Sequence, residues 1–422
     1  MKSIVLQWPS FGPYHTARLE ACAAAAPEGV EVVGLAVAGQ VQGRPWVADR
    51  AMERVRVTTL FPDAMYHELP RRAVAAAMTR ALDDLRPTAV GVSGYGMADS
   101  RAALRWCVKH NARRVLMTES KVDDAPRVWW KEWIKRRLVA KFDSGLCGGS
   151  PHRGYLEELG MPPEKIFDRY DVVDNARFAT AAEAVRRDPD AWNHLPGLSG
   201  GTPFFLVSSR FIDRKNLLRL IEAYAAYVER FQGSVFRVQD GETRPAVPWG
   251  LCILGDGEQK PALLAKCRDL GLEVVDSASS DASSLKTENL NLKTHPHGVV
   301  WMPGFRQFDE ISAYYALSGA FIHPALQEQW GLVVNEAMAC GLPVLCSKTV
   351  GAAHDLVIDG RNGRKFDPTS AEAMCEAMCE VSTNADRRDE MGRESRKIIA
   401  EWTPEDFARN FWRAVGDCNG EW

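Results

Sequence analysis

The chain has 422 residues, 46% hydrophobic and 25% charged, a composition that excludes disordered and fibrous classes. Its 52 basic and 55 acidic side chains leave a formal net charge of -3, so no whole-protein field recruits a nucleic-acid backbone and no nucleic-acid partner is expected. The length exceeds the roughly 250–300 residues at which single cores stop growing, which predicts two domains.

The apolar stretch 3–6 is too short for a secretory signal and is followed by no small-residue cleavage site. Nowhere does an apolar run reach the ~18 residues of a membrane span, so a cytoplasmic protein is expected. A strand at 3–6, a helix over 14–26 and a strand at 30–37 form a βαβ pattern. A helix over 71–85, a strand at 88–93, a helix over 100–111 and a strand at 113–118 continue it, predicting a parallel sheet covered on both faces.

Residues 127–141 mix Trp129, Trp130 and Trp133 with Lys131, Lys135, Arg136 and Arg137. Two readings stay open: a partly solvated helix whose tryptophans pack in the core, or a helix lying on an anionic membrane, peripheral at its inner face. Around 186–202 the text turns to Gly, Pro and Asn without period, which predicts a linker between domains spanning 1–190 and 200–402.

A second alternating series follows, with strands at 204–208, 251–255, 299–302, 320–323 and 343–346 and helices over 216–232, 261–270 and 334–340. Two doubly wound α/β domains in tandem are the consistent expectation. The stretches 233–249 and 276–297 interrupt the series and read as surface insertions. Ten cysteines are scattered without a zinc-type spacing and read as reduced core thiols, with no metal site expected.

Open parallel sheets bind ligands beyond the carboxyl ends of their strands. Arg210, Arg214 and Lys215 follow the strand 204–208 and precede a helix, a place that suits a pyrophosphate; a solvated basic turn is the plainer reading. Gly255-Asp256-Gly257 follows the next strand, where glycines let a base or ribose approach the backbone. Glu328 and Glu336 flank a turn at Gly331 that opens a helix near 331–334. The N–H groups of such a helix start attract phosphate, and acidic residues beside them suit the hydroxyls of ribose or a sugar.

The segment from Glu328 to Glu336 resembles the EX7E signature of retaining glycosyltransferases of the GT-B fold, glycosyltransferase family 4 in particular. Arg210 and Lys215 match that family's diphosphate-holding pair, Gly255-Asp256-Gly257 its glycine turn, and Met302-Pro303-Gly304-Phe305 its base-pocket turn. The resemblance implies two Rossmann-like domains facing a central crevice. It implies transfer, with retention, of a sugar from a nucleotide-diphosphate sugar to a hydroxyl of a carbohydrate or lipid-linked acceptor, in polysaccharide or glycoconjugate biosynthesis.

By the same resemblance Glu336 would bind the ribose, Glu328 the donor sugar, and the N–H groups of Gln329, Trp330, Gly331 and Leu332 the sugar or distal phosphate. Gly255, Gly257 and Phe305 would line the nucleotide. Without a cofactor or metal, Arg210 and Lys215 would neutralise the departing diphosphate. In the first domain Gly12 and His15 fall on the family's glycine loop, with Pro13 a departure, and Glu119 stands where relatives place a His. Residues 348–355 depart from the family's Gly-Gly-x-x-Glu loop. The segment 403–422 resembles the family's last helix, which returns to the first domain. The alternative is a catalytically silent homologue that binds nucleotide sugar or scaffolds a partner, favoured by Pro13 and the missing His.

Overall fold

Apolar runs buried on both faces and helices with one buried stripe resolve into two parallel sheets. The computed structural model describes residues 2–41, 55–195, 203–231, 235–237, 243–245, 247–276 and 298–416. The chain divides into a unit comprising Met1–Asp174 and the segment from Glu401 onward, and a second comprising Asn175–Ala400.

In the N-terminal unit the strands are β1 (Lys2–Trp8), β2 (Val30–Gln40), β3 (Arg56–Met65), β4 (Ala89–Ser93), β5 (Arg113–Thr118), β6 (Ser144–Cys147) and β7 (Ile166–Phe167). They pair in the order β3-β2-β1-β4-β5-β6-β7, all parallel. The order reverses beside β1, which makes that strand the unit's topological switch point. The helices α1 (Pro13–Ala24), α2 (Arg71–Leu85), α3 (Ala98–His110), α4 (Trp129–Val139) and α5 (Ser150–Glu158) connect them.

β3 was not foreseen, because its side chains are half-buried or exposed and Pro62 interrupts it. An edge position tolerates both, since a proline there gives up no ladder bond on its outer side.

The helix α6 (Asn175–Arg187) opens the second unit, whose helices also include α8 (Lys260–Asp269), α9 (Phe308–Leu317) and α13 (Ala385–Ile399). Its strands are β8 (Phe204–Ser208), β11 (Gly250–Leu254), β12 (Glu273–Asp276), β13 (Val299–Gly304), β14 (Ala320–His323), β15 (Val344–Ser347) and β16 (Gly363–Phe366). They form a parallel sheet in the order β12-β13-β11-β8-β14-β15-β16, with its reversal between β8 and β14. A short antiparallel pair, β9 (Val235–Arg237) with β10 (Thr243–Pro245), lies in the first of the expected insertions. The second insertion, from residue 277 on, and the glycine-rich stretch 196–202 fall outside the described residues.

The units part at Asp174 and Asn175, upstream of the linker expected over 186–202. The reason lies in α6, whose Phe178 packs edge-on against Tyr315 at 6.2 Å. Arg186 of the same helix donates to the carbonyls of Ala316 (3.0 Å) and Cys340 (2.8 Å). At the other end α14 (Pro404–Gly416) belongs to the N-terminal unit, where Trp412 donates to the Cys22 carbonyl at 3.1 Å.

Nine cysteines lie among the described residues, all of them free thiols and all but Cys379 buried.

Candidate active site

Two loops meet at the switch point of the second sheet. After β8 the chain makes a short 3-10 turn, Asp213–Lys215, then Asn216 in the left-handed region (φ 60) before α7 (Leu217–Phe231). Asn tolerates that conformation, and its side chain ties the loops together by donating to the carbonyls of Pro324 (3.1 Å) and Pro368 (2.7 Å). The Leu326 N–H adds a bond to the Arg214 carbonyl at 2.8 Å. The basic turn and the segment after β14 are therefore one structure.

The tie sets Lys215 against Glu328: the ammonium donates to Oε2, with the two side chains 11% and 13% exposed. Burial alone would raise the Glu328 pKa, but His323 and Lys215 together outweigh it and hold the carboxyl well below the usual range. The positive charges of Arg210 and Arg214 bear on Lys215 and, with burial as the larger cause, pull its pKa down. Arg210, Arg214 and Lys215 against Asp213 and Glu328 leave these two segments a surplus of one positive charge beside a helix start. Such a place favours an anion.

That helix is α10 (Leu332–Ala339), capped by Gly331 in the left-handed region (φ 99). Glu336, one turn inside, is 1% exposed and accepts a hydrogen bond from Tyr315 at 2.7 Å. Trp330 is buried with its indole N–H on Asn335 at 2.9 Å. The start of α11 (Gly351–Leu356) braces the segment, for the Gly351 and Ala352 N–H groups donate to the Glu328 and Trp330 carbonyls at 3.3 and 3.0 Å. Its departure from the family pattern leaves this backbone brace intact.

Gly255 and Gly257 are held at φ 127 and 153. A Cβ on Gly255 would lie 1.9 Å from the Ser209 carbonyl oxygen, and one on Gly257 would lie 2.7 Å from that of Phe211. These glycines let the loop after β11 seat against the loop that carries Arg210. Phe305 follows β13 and is half-buried.

In the N-terminal unit Gly12 caps α1, and its N–H donates to Nδ1 of His15 at 3.0 Å. The His15 ring lies 5.0 Å from that of Trp8. One imidazole nitrogen therefore serves the helix start. Glu119 follows β5, and its charge bears on Asp171, a fully buried acid whose pKa rises first through burial and then through that charge. Arg18 partners Asp171 at 3.5 Å. Glu119 thus belongs to an internal acid–arginine cluster that the sequence did not reveal.

Helix α4 contradicts the reading in which its tryptophans pack in the core: Trp129, Trp130 and Trp133 are 82, 47 and 50% exposed. What turns inward is Val139 and Glu132, the latter accepting from Lys135 at 2.8 Å and Tyr155 at 2.7 Å. Among the described residues no helix is long and apolar enough to cross a membrane, and no three His, Cys, Asp or Glu side chains gather to hold a metal.

Asn216 and His323 were missed as site-building residues. An Asn just before an apolar-periodic helix was a readable turn signal; His323 had none, since one histidine after an apolar run looks like any core residue.

Residues 192–398, just under half of the chain, match the family model described as Glycosyl transferases group 1. Sucrose-phosphate synthase of Spinacia oleracea is 23% identical over 298 residues, which are 68% of this chain and 25% of that protein. The chain thus spans about a quarter of that relative's length. A glycosyltransferase from Rickettsia africae shares the fold with TM-score 0.67 and 14% identity, covering 98% of both chains. HepE of Anabaena, in complex with UDP and glucose, aligns with TM-score 0.64 and 15% identity over 98% of this chain and 99% of that one. The same protein is also known with UDP-glucose. The architecture is that of the GT-B glycosyltransferases, two Rossmann-like α/β domains.

Proposed function

From its match to the glycosyltransferase group 1 model we infer that this chain moves a sugar from a nucleotide-diphosphate sugar to an acceptor hydroxyl, with retention and without a metal ion. The observation that carries the reading is Lys215 paired with Glu328 beside the Gly331 helix start, with Arg210 and Arg214 bearing on the pair. Arg210, Lys215 and the N–H groups of α10 take the negative charge that grows on the leaving diphosphate. Glu328 orients the donor sugar by its hydroxyls and Glu336 holds the ribose. The acceptor is a carbohydrate or a lipid-linked sugar, as in polysaccharide or glycoconjugate assembly. A UDP-sugar is the first donor to try, since HepE is known with UDP-glucose.

A thermal-shift screen against UDP, GDP, ADP and TDP tests the reading, because a ligand that binds only the folded state raises its melting temperature. One diphosphate at a hundred times its Kd should add about 2.7 kcal/mol of stability. Arg210→Ala and Glu336→Ala should each abolish most of that shift. A flat screen would favour a scaffold.

The exposed tryptophans of α4 support a further contact, with an anionic membrane surface at which a lipid-linked acceptor resides. Arg137 lies over the Trp133 ring at 3.7 Å and Lys131 over Trp130 at 5.4 Å, so cations and indoles share one outward face. Indoles favour the headgroup layer and cations favour anionic lipid.

A further inference from the structure

His323 ends β14 fully buried, its ring stacked on Phe321 at 6.2 Å and 18°. Neither ring nitrogen makes a hydrogen bond. Nε2 nevertheless stands 3.5 Å from Oε2 of Glu328, within ion-pair reach but outside hydrogen-bond geometry. Buried polar groups left this way are costly, and an apolar side chain at the end of β14 would avoid the cost. The Glu328 oxygen nearest the imidazole is the one that Lys215 already holds. Above them lies Gly331, where a Cβ would sit 3.3 Å from Glu328 Cγ and 3.5 Å from His323 Nε2. The bare glycine leaves carboxylate and imidazole together beneath the start of α10.

We infer that His323 is the positioning residue of Glu328, donating its Nε2–H to the carboxylate when Lys215 turns to a diphosphate. The inference rests on the donor reading above. Lys215 cannot fully serve two anions: if it stays on Glu328 the phosphate is short of charge, and if it leaves, a largely buried carboxylate loses its cation. A side-chain shift of about half an ångström brings Oε2 from 3.5 Å to hydrogen-bond distance of Nε2. The bond keeps Glu328 ionised and its other oxygen aimed at sugar hydroxyls. Glu328 and Lys215 are the charged groups that bear on the imidazole, with Arg210 and Arg214 bearing on Lys215. The ring acts as a neutral donor, and no proton is transferred.

The test is a UDP titration of the full-length, 15N-labelled chain, followed in imidazole proton–nitrogen spectra. Of nine histidines, the one whose signals vanish in His323→Gln is assigned. UDP should move the His323 Nε2 signal toward that of a hydrogen-bonded donor. By calorimetry His323→Leu should weaken UDP-glucose binding about tenfold and UDP binding less than twofold. His323→Gln, whose amide N–H reaches about as far as Nε2, should recover to within threefold of wild type. If the wild type binds neither ligand, the donor reading falls and this inference with it. If UDP binds but the Nε2 signal stays put and His323→Leu holds UDP-glucose as tightly as wild type, the donor reading stands and His323 is a packing residue.

Discussion

Two buried ionisable side chains a few ångströms apart both cost stability on acidification, but over different pH ranges and for different reasons. The Glu328 carboxyl is held below its ordinary range, so its stabilising effect is complete above the usual pKa of ~4.3 and lost only as acid drives the pH down toward the folded value. Burial, the largest cause, holds His323 below its ordinary pKa. Below ~6.5 the unfolded chain therefore takes up a proton that the folded chain refuses, and stability falls by up to ~1.4 kcal/mol per pH unit until the folded value is reached. Urea unfolding between pH 6.5 and 5 should show wild type losing stability faster than His323→Gln; parallel curves would mean that the imidazole is not held below its ordinary range. Gly255 sets a second limit on single residues. Gly255→Ala drives a methyl into the Ser209 carbonyl at 1.9 Å, whereas Gly271, also at positive φ (67), has nothing within 4 Å. Both substitutions carry the left-handed cost of about 1 kcal/mol, but only Gly255→Ala adds a backbone clash, so its loss should be at least about 3 kcal/mol. Comparable melting temperatures for the two variants would contradict the close approach of the loops.

Elements reveal where sequence patterns carry information and where they do not. β1, β4, β5 and β8 were legible because strands buried on both faces are nearly continuous apolar runs. β3 and β12 are edge strands with no fully buried residue, and β7 is two residues long, so no period marks them. That the basic turn and the Glu328–Gly331 segment lie at strand ends was legible too, since Arg210, Lys215, Glu328 and Gly331 all follow apolar runs; the tie through Asn216 was not, because it joins residues far apart in the chain. Helix α4 shows the limit most plainly, for composition could not say which side of an aromatic and basic helix faces water. The structure turns the indoles outward, and an element so built should bind vesicles. In co-sedimentation at low salt, vesicles rich in phosphatidylglycerol should retain the protein and phosphatidylcholine vesicles should not. Trp129→Ser with Trp133→Ser should cut partitioning about tenfold while leaving UDP binding unchanged. Equal pelleting with neutral vesicles, or none with anionic ones, would remove the membrane contact.

At the scale of the molecule, the division of the chain follows packing rather than sequence order. α6 precedes the Gly- and Pro-rich stretch yet packs in the second unit, because Arg186 is anchored on the carbonyls of Ala316 and Cys340. A compositional signal marks a break in apolar periodicity, which need not be where one core ends. α14 makes the same point from the other end of the chain. Arg113 donates to the Val415 carbonyl at 3.0 Å and Ser144 to that of Ala414 at 2.6 Å, while Phe407 and Phe411 are fully buried. A Cβ on Gly91 of β4 would come within 2.9 Å of the Phe411 ring, so the helix sits against the sheet itself. Removing everything from Glu401 onward therefore strips two buried phenylalanines from the first core, at about 3 kcal/mol or more apiece. Hydrogen exchange should then quicken by at least a hundredfold in β4, β5 and β6, the strands that lie beneath or bond the lost helix. The core of the second unit, in α7 and α12 (Ala371–Thr383), should keep its protection within a factor of three. Loss of protection in both units would mean that their stabilities are one quantity, and unchanged protection in the first would mean that α14 contributes little to its core.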